Sequence, residues 1–109
     1  MIHVVAKLTV DPDRREEFLA VFAELTPKVL AEQGCLEYGA AIDEPTGIGV
    51  QEQAGEDAVM VIEKWASVPA LEAHLAAPHM DDFREATASM LRGLSLHVLK
   101  PATDAEPAG

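Results

Sequence analysis

Ala58-Val59-Met60-Val61-Ile62-Glu63-Lys64-Trp65 reads as one strand in two halves. From Val59 to Ile62 it is apolar at every position, the pattern of a strand covered on both faces and therefore central to a sheet. Its second half alternates, so Glu63 and Trp65 project to one face. Just downstream, Ser67 and Pro69 are an N-cap and an early-turn proline, and a helix with Leu71, His74 and Leu75 on one side is predicted to follow. Pro78 interrupts that helix, and a further segment carrying Phe83, Thr87 and Met90 runs to an expected stop at Gly93. Leu94, Leu96 and Val98 then alternate in a last strand.

Upstream, Ile2, Val4, Ala6, Leu8 and Val10 fall on one face at period two, with His3, Val5, Lys7 and Thr9 on the other, so this is a strand with one fully apolar face. Asp11 before Pro12 marks a helix start, and Glu16 and Glu17 suit the positive end of the helix dipole. Phe18, Phe22, Leu25 and Val29 form the buried stripe, Pro27 is expected to kink or split the helix, and Gly34 is a left-handed stop. Leu36, Tyr38, Ala40 and Ile42 make a second alternating run. Asp43 to Asp57 is rich in Gly, Gln and acidic residues, and reads as a long, mobile hairpin loop that serves as a lid or a dimer arm.

The order strand, helix, strand, strand, helix, strand predicts an α+β chain with the split β-α-β of a ferredoxin-like fold, both helical segments on one face of an antiparallel sheet. The opposite face would then carry Val5, Ala41, Met60, Ile62 and Leu99, an apolar set large enough to need a cover. Sheet-to-sheet pairing of two copies is the simplest isologous solution, so a homodimer is expected.

The sequence has 109 residues, the size of one domain with one core. That domain is taken as residues 1–101, followed by a flexible C-terminal tail, 102–109, that is small, polar and proline-bearing. Lys and Arg number 8 against 19 Asp and Glu, a formal charge of -11, which repels phosphate backbones and anionic lipid. Nucleic acid and membrane partners are therefore not expected. Cys35 is the single cysteine, which rules out an internal disulfide and a cysteine cluster for zinc, and is most simply a buried, inert thiol. The start of the chain alternates instead of forming an apolar run, so it reads as a strand and not as a signal peptide. No stretch approaches the length of a membrane span, and a cytoplasmic location is expected.

No phosphate-cradling motif is present, since Gly47-Ile48-Gly49 lies in a loop without a helix after it. His74 and His79 are five apart, but the intervening Pro78 is expected to break the helical geometry that would align them, so no metal site is predicted. The remaining chemistry gathers around the third strand and second helix: Glu63, Trp65, His74 and, from a neighbouring strand, Tyr38. A half-apolar pocket with an imidazole, a phenol, an indole and a carboxylate suits an aromatic, hydroxylated ligand. Histidine titrates near neutral pH and can take a phenolic proton, while aromatic walls stack on a planar ring. Each of these residues has a plainer reading: His74 a hydrogen-bonded core side chain, Trp65 and Tyr38 core filling, Glu63 half of an ion pair with Lys or Arg across a dimer. His79 would cap the second helical segment or close the pocket mouth, and His3 and His97, on outer strands, are structural.

Gln33-Gly34-Cys35-Leu36-Glu37-Tyr38, Glu63-Lys64-Trp65, Ala70-Leu71-Glu72-Ala73-His74-Leu75 and Pro78-His79-Met80, in that order and spacing, resemble the antibiotic-biosynthesis monooxygenase family and its bacterial quinol monooxygenase relatives. The resemblance implies a dimeric α+β barrel of ferredoxin-like subunits. It further implies oxidation of an electron-rich phenol, quinol or anthrone by O2 with no cofactor, neither metal, flavin nor haem. Carried over by motif, His74 is the candidate base, with Trp65, Tyr38, Glu63 and His79 as substrate-binding residues. Haem-degrading relatives use an asparagine on the first strand, and this chain contains no asparagine. An isomerase of a small phosphorylated ketone would need basic residues near the pocket, for which only Lys7, Lys64 and Arg84 are available. A non-catalytic dimer that binds a small molecule would use the same pocket.

Overall fold

The computed structural model describes residues 1–103. Its four strands are β1 (Ile2–Val10), β2 (Cys35–Ala41), β3 (Ala58–Trp65) and β4 (Leu91–Leu99), and its helices α1 (Arg15–Leu30), α2 (Val68–Leu75) and α3 (Pro78–Thr87). The sheet order is β2-β3-β1-β4, every neighbouring pair antiparallel. β1 and β2 flank β3, and the chain has the split β-α-β arrangement of an α+β ferredoxin-like fold. β3, apolar on both faces in its first half, is interior as expected. β1 is interior too, so His3 does not lie on an outer strand, whereas His97 is on the edge strand β4.

Asp11 caps a short 3-10 turn, Pro12–Arg14, by accepting from Asp13 N–H, and α1 follows directly. Phe18, Phe22, Leu25 and Val29 are all buried, packed against Val4, Ala6, Leu8 and Val10 of β1 and Val59 and Val61 of β3 in a single core. α1 runs unbroken through Pro27 to Leu30, so of the kink or split expected there, the split does not occur. The proline lies in the last turn, where its missing N–H removes one hydrogen bond but leaves no helix beyond it to disrupt. Ala31 N–H still reaches the Pro27 carbonyl at 3.2 Å.

Gly34 ends the turn after α1 with φ of 84°. A Cβ there would also sit 2.7 Å from Ala70 Cβ, so the glycine allows both the left-handed backbone and the close approach of α2 to this turn. Ser67 caps α2 by accepting from Ala70 N–H, and Pro78 opens α3. α3 ends at Thr87, and a turn through the buried Met90 leads into β4. Gly93 therefore stops no helix. It lies within β4 opposite Thr9, beside a register shift at Thr9/Val10.

Residues between β2 and β3 form no helix or strand, but the base of this loop is tied. Asp43 accepts from Ala54 N–H at 2.8 Å and from Gly55 N–H at 2.9 Å, and these two donors hold its carboxyl below the usual carboxylate range. On the sheet face away from the helices, the register places Val5, Ala41, Met60, Ile62 and Leu99 together, beside a Lys64–Glu37 ion pair at 3.2 Å. Ile62 and Leu99 are exposed there. No helix among the described residues is long and apolar enough to cross a membrane. Of the segment expected to be a tail, 104–109 lies outside the described residues.

Candidate functional site

The helix-side face of the sheet, α1 and the α2–α3 pair enclose a cavity of about 440 Å³. Phe18 and Phe22 of α1 and Met80 and Phe83 of α3 line it, with Leu94 and Leu96 of β4 on another side. Phe18 and Phe22 each meet Phe83 edge-on, with ring centroids 5.7 and 5.9 Å apart, which fixes the aromatic walls. The volume is within the range of small-molecule sites.

Tyr38 from β2, Glu63 from β3 and His74 from α2 enter this apolar space, and Arg84 and Thr87 of α3 also line it. Tyr38 and Glu63 are register partners on adjacent strands. Phe22 stacks on Tyr38 at 5.4 Å, and the Tyr38 ring meets His74 edge-on at 5.5 Å. Trp65 lies against His74 with centroids 4.7 Å apart, and its indole N–H donates to Glu63 Oε1 at 2.8 Å. The four residues expected to gather therefore do so. Trp65, however, is fully buried behind the others and lines no part of the cavity, so it supports the site and does not form its wall. Within one chain, Glu63 forms no ion pair with the described residues.

Among the described residues, no sealed side-chain nitrogen or oxygen lacks a hydrogen-bond partner. His74 uses Nδ1, which is 2.8 Å from Glu32 Oε2. Its Nε2, Tyr38 Oη and Glu63 Oε2 have no protein partner among those residues, and all three residues line the cavity, so these atoms keep free hydrogen-bonding capacity there. Burial above all, then the nearby Glu63, Glu32 and Cys35, pushes the Tyr38 phenol up, so it remains a hydrogen donor at neutral pH. Burial also pushes Cys35 up; its thiol is half-buried, next to Glu32 and Glu63 in the field that acts on it.

Glu63 is raised above the ordinary glutamate range, chiefly by burial. The Trp65 indole and His74 partly offset this, and Glu32 adds to it. A carboxyl that holds its proton more tightly folded than unfolded contributes most to stability below the unfolded pKa, and that contribution is lost as pH rises through the folded pKa. Glu63→Gln keeps an acceptor for Trp65 without the charge. Its melting temperature is expected to exceed the native value by a few degrees near pH 8, with the difference shrinking toward pH 4. Thermal unfolding across that range checks it, and a gain independent of pH would contradict the assignment.

Glu32, which the sequence did not single out, occupies the tight turn after α1. Its Oε2 lies 2.8 Å from His79 Nε2 as well as from His74 Nδ1. The expectation that Pro78 would keep the two histidines apart is thus overturned. Pro78 starts a new helix whose first turn brings His79 back toward the end of α2. Two imidazoles and a carboxylate, donor atoms within 4.8 Å of one another, are a set that a divalent cation can use. Here both rings are spent on one carboxylate oxygen. His79 does not close the cavity mouth; it lines a separate shallow groove with Glu24, Lys28 and Asp82. Of the basic residues a phosphate would want, Lys7 and Lys64 lie on the opposite sheet face, and only Arg84 lines the cavity, its guanidinium bonded to the Leu75 carbonyl and to Asp81.

A family model described as antibiotic biosynthesis monooxygenase matches residues 1–86. The "Probable quinol monooxygenase YgiN" of Escherichia coli K12 is 35% identical over 103 residues, covering 93% of this chain and 98% of its own length. Among solved structures, PA3566 from Pseudomonas aeruginosa superposes with a TM-score of 0.77 at 22% identity, covering 94% of each chain. Rv0793 from Mycobacterium tuberculosis gives 0.77 at 24% identity over 96% of this chain and 98% of that one. These two structures bear on the fold alone.

Proposed function

The chain belongs to the antibiotic biosynthesis monooxygenase family, and from that premise we propose that it oxidises a phenolic, quinol or anthrone-like small molecule with O2, with His74 as the base. The observation that carries this reading is an apolar cavity of about 440 Å³ into which one unpartnered imidazole nitrogen, one protonated phenol and one carboxylate project. A planar ring fits between the aromatic walls with its hydroxyl toward His74 Nε2. Removing that proton turns a weak electron donor into a strong one, which reduces O2 directly. For a quinol the balance is quinol plus O2 to hydroxyquinone plus water, with all electrons supplied by the substrate, so the reaction is proposed to need no metal, flavin or haem. Tyr38 is the hydrogen donor available to the oxygen that gains charge, and the apolar walls keep water from competing.

The test is oxygen uptake by purified, metal-stripped protein against hydroquinones, naphthoquinols and anthrones, with uncatalysed autoxidation as the baseline. Uptake well above that baseline supports the reading. No uptake across the panel sinks it and leaves a binding protein or a keto isomerase.

We also propose that the protein works as a homodimer in the cytoplasm, joined through the sheet face of Val5, Ala41, Met60, Ile62 and Leu99. Ile62, 44% exposed at the middle of this set, is the position where a charge does most harm to such an interface and least to the fold. Light scattering is expected to give twice the chain mass for the native protein and one chain mass for Ile62→Asp. A monomeric native protein would remove the proposal.

A further inference from the structure

One Glu32 oxygen serves two imidazoles brought from different helices: His74 near the end of α2 and His79 in the first turn of α3, each at 2.8 Å. An ionised carboxylate only accepts hydrogen bonds, so each ring must carry its hydrogen on the nitrogen that faces Glu32. For His74 that nitrogen is Nδ1, and the lone pair is left on Nε2. His74 lines the cavity, whereas Glu32 and His79 do not, so the lone pair falls on the substrate side. Resting on the base role given to His74 above, we propose that Glu32 is the positioning residue that fixes the His74 tautomer and steadies its charged form, and that His79 is the clamp that holds Glu32 in place.

The surroundings are built for this. His74 is 2% exposed, and an imidazolium formed there has lost nearly all its hydration. A carboxylate in contact stands in for that hydration. The Glu32 turn is fixed by Glu32 N–H to the Val29 carbonyl at 2.9 Å and by Cys35 N–H to the Glu32 carbonyl at 3.2 Å. Gly34 lets α2 approach that turn closely, which sets the reach between Glu32 and His74. Other titratable groups face the rings from each packed element. Tyr38 on β2 stays protonated, and Glu63 on β3 has its own donor in Trp65. Cys35 is held as a thiol, and Glu24, Lys28 and Asp82 border the His79 groove. Glu32 is the only carboxylate among the described residues that contacts the His74 ring nitrogens.

The proton balance is simple. The substrate O–H breaks and an Nε2–H forms, while Nδ1–H stays on His74 against Glu32, giving an imidazolium–carboxylate pair. The proton on Nε2 then returns to the oxygen that leaves as water.

The decisive measurement is the long-range 1H–15N spectrum of the histidine rings in the native protein at pH 7 to 8, with no ligand added. Hydrogen on Nδ1 of His74 is expected, and hydrogen on Nε2 overturns the proposal. Glu32→Gln can turn its NH2 toward Nδ1, which moves the ring hydrogen to Nε2. Its kcat is expected to fall ~100-fold or more, as when an orienting carboxylate is amidated, with KM changed less than ~3-fold and the pH dependence of kcat displaced. His79→Gln, whose amide can still donate to Glu32, is expected to keep more activity than His79→Ala. A Glu32→Gln kcat within ~3-fold of native overturns the proposal. So does activity lost to a chelator and restored by a divalent cation, because the three side chains would then serve the ion. If no quinol supports oxygen uptake in any form, the oxidative reading falls, and the ring spectrum still decides the positioning claim.

Discussion

Replacing His74 with alanine is expected to lower oxygen uptake by roughly two to four orders of magnitude, the range typical of losing a positioned general base. The native ring packs between Trp65 at 4.7 Å and Tyr38 at 5.5 Å, and Nδ1 is committed to Glu32, which leaves Nε2 as its free nitrogen. Glu63 is the nearest alternative. Its Oε1 is engaged by the Trp65 indole, and burial favours its protonated form. The substitution also removes a buried ring and leaves Glu32 one donor short, so lost stability must be separated from lost chemistry. Two controls do this. Rates are compared at a temperature well below both unfolding midpoints, and free imidazole is added, because the hole left by the ring adjoins the cavity. Partial rescue by imidazole assigns the loss to the base. A variant that is merely less stable and turns over normally would make His74 a core residue, and a native protein that binds quinols without turnover would make the cavity a binding site.

Much of this was legible along the chain because it is local and periodic. The stripe Phe18, Phe22, Leu25 and Val29 and the alternation of β1 each bury as their spacing requires, and Ser67 caps where a serine before a proline-containing first turn should. Even the convergence of Tyr38, Glu63, Trp65 and His74 followed from register, since strand parity decides which face each residue joins. What was not legible depends on how elements meet. Glu32 lies 42 positions from His74 and 47 from His79, and nothing in a turn carboxylate announces two imidazoles across the fold. Pro78 reads as a break, and it is one; the inference that a break separates its flanks was wrong, because a new helix can fold back on the old one. Trp65 shows the same limit. Its face was correct, but whether an indole borders a cavity or backs it depends on how deep α2 seats.

That depth makes Trp65 the position where the largest stability effect is expected. Trp65→Ala removes a side chain with no exposed surface and should destabilise by about 3–5 kcal/mol, as for other large-to-small changes in a core. The informative change is Trp65→Phe, which keeps most of the packing but removes the indole N–H. Glu63 is then left with a buried Oε1 and no donor, a loss on the order of 1–3 kcal/mol for an unsatisfied buried polar group. Because that donor favours the ionised carboxyl, removing it pushes the Glu63 pKa further up, and the loss should be greater at pH 8 than near pH 4. Urea unfolding at the two pH values measures this. Adding Glu63→Leu to Trp65→Phe takes away the stranded carboxylate, so the double variant is expected to be more stable at pH 8 than Trp65→Phe alone, a coupling that simple loss of packing does not produce. If Trp65 were instead a wall of the substrate site, Trp65→Phe would raise KM strongly with little change in the unfolding midpoint. The indole donates to Glu63 and lies behind His74, so stability should respond first, and KM only as far as Glu63 and His74 shift with it.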